Sequence, residues 1–290
     1  VSDGDGTSTI AGASFVDSFS VSSQETRPMG LAFNTDGTKM FVTGAVGDDV
    51  NEYTLSTGFD VSTASFVDSF DISGQETVPI GITFNTDGTK MFVIGTAGDD
   101  VNEYTLSTGF DVSTASFVDS FDVSGQEAQP GGLAFNTDGT KMFVVGRFGY
   151  DVNEYTLSTG FDVSTASFVD SFDVSGQEYD PTGITFNTDG TKMFVTGTVG
   201  DDVNEYTLST GFDVSTASFV DSFVISGQEV QPGGLAFNTD GTKMFVLGYA
   251  GYDVNEYTLT TPFSLVNISG EHTGDVIDSS NTSTRDTDVD

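Results

Sequence analysis

Apolar and polar positions recur along this chain with a fixed period. The ten residues FNTDGTKMFV begin at Phe33 and return at Phe84, Phe135, Phe186 and Phe237, 51 residues apart each time. A catalytic motif is usually needed once, whereas a segment repeated at constant period marks a supersecondary unit that buries its core only against its neighbours. Within the second copy, "IGITFN" and "TKMFVIG" are apolar, β-branched runs on either side of Asp87-Gly88. That dipeptide between such runs predicts a tight hairpin. After "TAGDD" comes "VNEYTL", with Val101, Asn102, Tyr104 and Leu106 in strand-favouring company. The last run of the unit is "SFVDSFDIS", in which Phe66, Phe70 and Ile72 are expected on one face at period two. No window sustains the three-and-four spacing of an amphipathic helix, and Gly and β-branched residues interrupt every candidate. The unit therefore predicts an antiparallel meander of four strands.

Four short strands per repeat of about 50 residues predict an all-β chain folded as a β-propeller blade, with a stacked solenoid as the competing architecture. The termini decide between them. The first three strands occur five times, ending with "VNEYTL" at Val254, while the fourth also occurs five times but begins at Ser14, ahead of the first copy. This offset is useless to an open stack. In a ring, the strand at Ser14 to Ser22 completes the blade whose other strands lie between Gly234 and Leu259, and no bare edge remains. The expectation is a five-bladed propeller over residues 14–262, a linker over 1–13, and a polar tail or linker over 263–290, where Pro262 replaces the usual Gly and the repeat is expected to fail beyond Phe263.

"FNTDGTKMFVTG" followed by "VNEYTLSTGFDVSTASF" resembles the repeats of YVTN-type β-propeller proteins, and the propeller-repeat proteins of viruses and microbial surfaces. The resemblance covers residues 14–260 and rests on turn and core residues. It therefore implies a propeller and says little of activity.

Composition narrows the partners. The 290 residues carry 44 Asp and Glu against 8 Lys and Arg, a formal charge of −36, which repels a phosphate backbone and an anionic membrane alike. Nucleic acid is excluded as a natural partner on this ground. The same excess strains a compact fold by self-repulsion, so a halophilic setting of high salt or bound divalent cations is expected. With no Cys the redox compartment is unreadable, and no apolar run approaches a membrane span. A chain beginning at Val1 reads as a processed product or a fragment.

Differences among the five copies gather in two places. Before the first strand the copies read "ETRPMG", "ETVPIG", "EAQPGG", "EYDPTG" and "EVQPGG"; between the second and third strands they read "TGAVGDD", "IGTAGDD", "VGRFGYD", "TGTVGDD" and "LGYAGYD". In an antiparallel meander both loops lie at the same end of the blade, so one face of the ring is varied and the other uniform. Such a face suits recognition, and the competing account is drift after duplication. It is expected to display Arg27, Arg147, Phe148, Tyr150, Tyr179, Tyr249 and Tyr252 among acidic residues, a mixture of rings, carboxylates and amides that suits a carbohydrate. Glu25, Glu76, Glu127, Glu178 and Glu229 each precede an innermost strand and are expected to ring one mouth of the channel, either binding a cation or standing as solvated loop acids. The pairs Asp48-Asp49, Asp99-Asp100 and Asp201-Asp202 offer oxygen ligands for Ca²⁺. "SDGDGT" at Ser2 has part of a calcium-loop spacing and reads as a linker.

Catalytic readings find little support. The only histidine, His272, lies in the tail, and there is no Cys, so no blade supplies a His base or a thiolate. YVTN-type relatives include lactonase-like enzymes, and some five-bladed propellers are glycoside hydrolases, which need two carboxylates in different environments. Five near-equivalent glutamates do not supply that difference. Asn267-Ile268-Ser269 and Asn281-Thr282-Ser283 match N-glycosylation acceptors. The expected function is a non-catalytic recognition or structural module, extracellular or on a virion surface. It is expected to bind a glycan or a cell-surface receptor through the varied face as part of a larger protein or assembly. A propeller hydrolase is the alternative.

Overall fold

In each copy the second strand is apolar at nearly every position because both of its faces are buried. In "KMFVTG" Met40 and Val42 point towards one neighbouring blade and Phe41 towards the other, and all three are fully buried. A strand covered on one face alternates, whereas one sandwiched between blades reads as a continuous run. The computed structural model describes residues 8–10, 12–266 and 268–270.

Blade 1 comprises strands β3 (Pro28–Phe33), β4 (Lys39–Gly44), β5 (Asp49–Leu55) and β6 (Ala64–Asp71), hydrogen-bonded in that order. The same meander is repeated by β7 (Pro79–Phe84), β8 (Lys90–Gly95), β9 (Asp100–Leu106) and β10 (Ala115–Asp122) in blade 2, and by β11 (Pro130–Phe135), β12 (Lys141–Gly146), β13 (Asp151–Leu157) and β14 (Ala166–Asp173) in blade 3. Blade 4 contains β15 (Pro181–Phe186), β16 (Lys192–Gly197), β17 (Asp202–Leu208) and β18 (Ala217–Val224). Blade 5 is assembled from both ends of the chain: β19 (Pro232–Phe237), β20 (Lys243–Gly248) and β21 (Asp253–Leu259) are completed by β2 (Ala13–Ser20), with Ala13 opposite Leu259 and Ser20 opposite Asp253. The ring is closed by its N-terminal strand, as the offset of the repeats predicts. A two-stranded pairing of β1 (Ser8–Ile10) with β22 (Ile268–Gly270) further ties the ends together.

The first strands of the blades, β3, β7, β11, β15 and β19, pack against one another around the axis. Five apolar clusters fill the gaps between successive blades; the one between blades 3 and 4, for example, joins Phe143, Val145 and Val152 to Met193, Val195 and Tyr206. Aromatic rings interlock across each gap. Phe41 of blade 1 meets Phe84 of blade 2 at 4.4 Å between centroids, and Phe70 meets Tyr104 edge-on at 5.9 Å.

Four local details depart from the sequence reading. The turn at Asp87-Gly88 is longer than a two-residue hairpin: five residues separate β7 from β8, closed by Lys90 N–H donating to Asn85 Oδ1 and Gly88 N–H to the Asn85 carbonyl, with Gly88 at φ +72°. Phe66 and Phe70 lie on opposite faces, because a β-bulge shifts the register of β6 after Phe66. Phe66 stands opposite Tyr53 of its own blade, while Phe70 stands opposite Val50 and reaches Tyr104 of the next. The long outer loop contains a single 3₁₀ turn, Val61–Thr63 in blade 1. Finally, the pattern of the repeat persists for two residues past Phe263: Phe263 takes the place of Phe59 with φ +52°, and Leu265 is buried where Val61 is. The SDGDGT stretch from Ser2 to Thr7, Asn267, His272 and the Asn281-Thr282-Ser283 pattern lie outside the described residues.

Candidate functional site

The site begins with the glutamates that precede each first strand. Glu25, Glu76, Glu127, Glu178 and Glu229 do not ring the channel mouth and are not solvated; all five are buried. The correction has a clear physical cause. Each carboxylate accepts hydrogen bonds from the backbone of both varied loops: Glu127 from Gln129 N–H at 2.6 Å and from Gly149 N–H at 2.9 Å, Glu229 from Gln231 N–H at 2.6 Å and Gly251 N–H at 2.9 Å. Glu25, Glu76 and Glu178 do the same with Arg27, Val78 and Asp180 and with the loops at Gly47, Gly98 and Gly200. Backbone donors stabilise a buried carboxylate in place of water. Because the pin uses main chain only, loop side chains are free to differ from copy to copy. It also explains the invariant Gly that ends each second strand, since a Cβ at Gly95 would overlap the Glu76 side chain.

The acidic pairs divide their labour. Asp48, Asp99 and Asp201 have φ from 48° to 51°, a left-handed conformation shared by Tyr150 and Tyr252 at the same position of other copies. Asp tolerates that backbone conformation better than most residues. The second members, Asp49, Asp100 and Asp202, accept from Asn51, Asn102 and Asn204 side chains at 2.7–2.8 Å. Burial raises the pKa of all three, that of Asp202 to about 6, with the charges of Glu178 and Asp201 adding to the effect. Among the described residues no three His, Cys, Asp or Glu side chains assemble into a metal-ligating set.

With both loops pinned, their side chains converge at the end of the channel. A cavity of about 220 Å³ opens there, lined by Arg27, Met29, Arg147, Asp180, Thr182, Thr198, Gln231, Pro232, Gly233 and Tyr249. Blades 1, 3, 4 and 5 contribute. All but Pro232 occupy positions that differ among the five copies. A larger cavity of about 360 Å³ occupies the other end of the channel, walled by the first strands and by Thr35, Thr86, Thr137, Thr188 and Thr239, with no charged side chain. Specific recognition depends on a few convergent polar groups more than on volume, so the smaller cavity is the better candidate.

Its geometry follows from the blade junctions. At two junctions the residue after a second strand meets the residue just before the next blade's first strand: Arg147 with Asp180, and Tyr249 with Arg27. Arg147 grips Asp180 with two bonds, Nε to Oδ1 at 2.6 Å and Nη2 to Oδ2 at 3.0 Å, and Thr198 donates its hydroxyl to the same carboxylate. The Arg27 guanidinium lies over the Tyr249 ring at 5.8 Å from its centroid. Thr182 is buried below, donating to the Pro232 carbonyl at 2.7 Å.

Of the seven basic and aromatic residues expected on this face, Arg27, Arg147 and Tyr249 line the cavity. Phe148, Tyr150, Tyr179 and Tyr252 are exposed outside it, with Tyr150 and Tyr179 packed edge-on at 5.6 Å. Met29, Asp180, Thr182, Thr198 and Gln231 were not singled out from sequence. The signal for them was present, because they stand in the same varied columns; attention to rings and cations alone passes over them. Sequence reasoning also missed Glu52, Glu103, Glu154, Glu205 and Glu256 of "VNEYTL", which are buried and paired with the five lysines at 2.6–2.7 Å.

No family model matches the chain, and no curated protein matches it. Among solved structures the chain is similar to a proposed 6-phosphogluconolactonase from Bacteroides uniformis, at 12% identity and a TM-score of 0.51, over 82% of this chain and 68% of that one. A second proposed 6-phosphogluconolactonase, from Bacteroides fragilis, aligns at 13% identity with a TM-score of 0.49 over 83% of this chain and 70% of that one. A functionally unknown protein from Desulfotomaculum acetoxidans aligns at 15% identity and 0.48 over 83% and 74%. At these identities the likeness is one of fold. The YVTN-type assignment remains a resemblance of the repeat.

Proposed function

We propose that the protein is a recognition module of an extracellular or virion surface that binds a saccharide, free or on a cell-surface receptor, in the cavity at the varied mouth. One observation carries the reading: three positions that differ among the five nearly identical blades, those of Arg27, Met29 and Arg147 with their equivalents, supply nearly the whole lining of one cavity, while the threonines at the opposite mouth are the same in every copy. Tyr249 offers a ring for an apolar sugar face, and Gln231, Thr198 and Asp180 offer donors and acceptors for hydroxyls. The cavity is below the usual size for a drug-like ligand and suits one sugar ring of a longer chain. A glycan array followed by calorimetry on the intact chain tests this. Binding should weaken at least tenfold in Tyr249→Ala and stay unchanged in Phe148→Ser, whose side chain is exposed away from the cavity. Equal loss in both variants, or no saccharide bound, would overturn the reading.

The names carried by the two Bacteroides structures favour a second reading, hydrolysis of a sugar lactone. In this cavity the one carboxylate, Asp180, is held by Arg147 and Thr198, which leaves it poorly placed as a general base. Lactone hydrolysis by the intact protein, abolished in Asp180→Asn, would replace binding with catalysis.

A further inference from the structure

Resting on the saccharide reading, we infer that the cavity selects sugars bearing an oxyanion, a carboxylate or a sulfate ester, and that Arg27 binds it. The chain commits its cations sparingly. Among the described residues the five lysines and Arg147 each pair with a carboxylate, leaving Arg27 as the cation without one. Every lysine also donates to a carbonyl of the next blade, so its charge serves the scaffold. Arg27 does neither. Its guanidinium is stacked on Tyr249, and its in-plane N–H groups meet no carboxylate among the described residues.

The charge of the cavity lining is opposite in sign to that of the molecule. Arg27 and Arg147 against Asp180 leave a net +1 in a chain whose formal charge is −36. The buried pin carboxylates Glu25, Glu178 and Glu229 are occupied by loop N–H groups and do not line the cavity. In the other copies the position of Arg27 holds Val78, Gln129, Asp180 and Gln231, so only the junction of blades 5 and 1 builds a free guanidinium on a ring. Thr198 and Gln231 line the same cavity as the two arginines and carry a hydroxyl and an amide. Arg147 uses two of its five N–H groups on Asp180, which leaves three to share with a ligand. A sugar ring lying across Thr198 and Gln231 would bring a substituent oxyanion to Arg27.

Calorimetry on the intact protein at ~0.15 M ionic strength, where long-range repulsion by the chain is screened beyond ~8 Å, tests the inference. The probes are glucuronate, glucose 6-sulfate, glucose and inorganic sulfate. The acidic sugars should bind about tenfold tighter than glucose, the two arms showing whether carboxylate or sulfate is preferred, and Arg27→Gln should erase that advantage, bringing the acidic sugars to the affinity of glucose in the same variant. Arg27 is exposed, so the variant should melt as the parent does. Equal affinity for glucose and the acidic sugars overturns the inference and leaves saccharide recognition standing. Sulfate bound through Arg27 with no sugar bound at all supports the anion site and removes the saccharide. Acidic sugars whose affinity ignores Arg27→Gln, or four probes that all fail to bind, overturn the assignment.

Discussion

Glu178 shows how one residue can stabilise a scaffold and leave its loops free. Its carboxylate accepts from the N–H groups of Asp180, Val199 and Gly200, asking nothing of their side chains. The same crowding of negative charge acts on its neighbour. Asp202 is half-buried, and desolvation, reinforced by Glu178 and Asp201, lifts its pKa to about 6. The ionised form is penalised in the fold but not in the unfolded chain, where the group titrates near ~3.9. Stability should therefore rise as pH falls from about 7 through 6, with Asp49, Asp100, Asp151 and Asp253 shifted in the same direction. The opposite holds for the turn carboxylates Asp36, Asp87, Asp138, Asp189 and Asp240. Thr hydroxyls lower their pKa, so their contribution is lost as pH drops below about 4. Thermal melts should thus show a maximum between about pH 4 and 6. Asp202→Asn should add roughly 1 kcal/mol at pH 7, a figure discounted for solvent screening, and flatten the slope above pH 5. A melting point that falls steadily from pH 7 to 5 would contradict this balance.

At the scale of elements, the blades are joined by more than apolar packing. Lys141 donates to Glu154 Oε1 at 2.6 Å within blade 3 and to the Phe212 carbonyl at 2.5 Å in blade 4, and Glu154 Oε2 accepts from Val214 N–H at 3.0 Å. The lysine and glutamate together clamp the outer loop of the next blade. Phe212 is held there with φ +58°, its ring against Gly190. Removing one member of a buried pair leaves the other charge uncompensated, a loss larger than the net worth of the pair. Lys141→Met should therefore destabilise the protein by about 3 kcal/mol, and adding Glu154→Gln should recover part of that loss. Chemical denaturation of the single and double variants measures both. Additive losses would show that the pair is not coupled.

For the whole molecule the dominant quantity is the charge of −36 on a closed ring. At ~0.01 M salt the Debye length is about 30 Å, so each blade feels the others; at ~1 M it is about 3 Å and they are screened. We propose that the ring is adapted to high salt, and its melting temperature should climb steeply over that range in NaCl. CaCl₂ at matched ionic strength separates general screening from specific binding. Equal curves in the two salts are expected, because the acidic pairs assemble no three-carboxylate set among the described residues. A curve flat from low to molar NaCl would remove the halophilic reading. An additional rise with calcium would restore the sites at Asp48-Asp49 and its equivalents.

Much of this was legible in the chain itself. Strand identity, the four-stranded unit, five blades, closure by the N-terminal strand and the split between a varied and a uniform face all follow from periodicity and from counting copies, because each is set by neighbours within a strand or by topology. What the tertiary structure decided depends on groups distant in sequence. The pins at Glu25 and its equivalents look like surface acids until the ring folds and directs backbone N–H groups at them. Lys39 reaches the Phe110 carbonyl 71 residues away, a contact that exists only between blades. The bulge after Phe66 inverts a face that strict alternation would assign, because one extra residue changes the parity of everything beyond it. The candidate site is the clearest case: Arg27 and Tyr249 belong to the first and last blades, and only closure of the ring stacks one on the other.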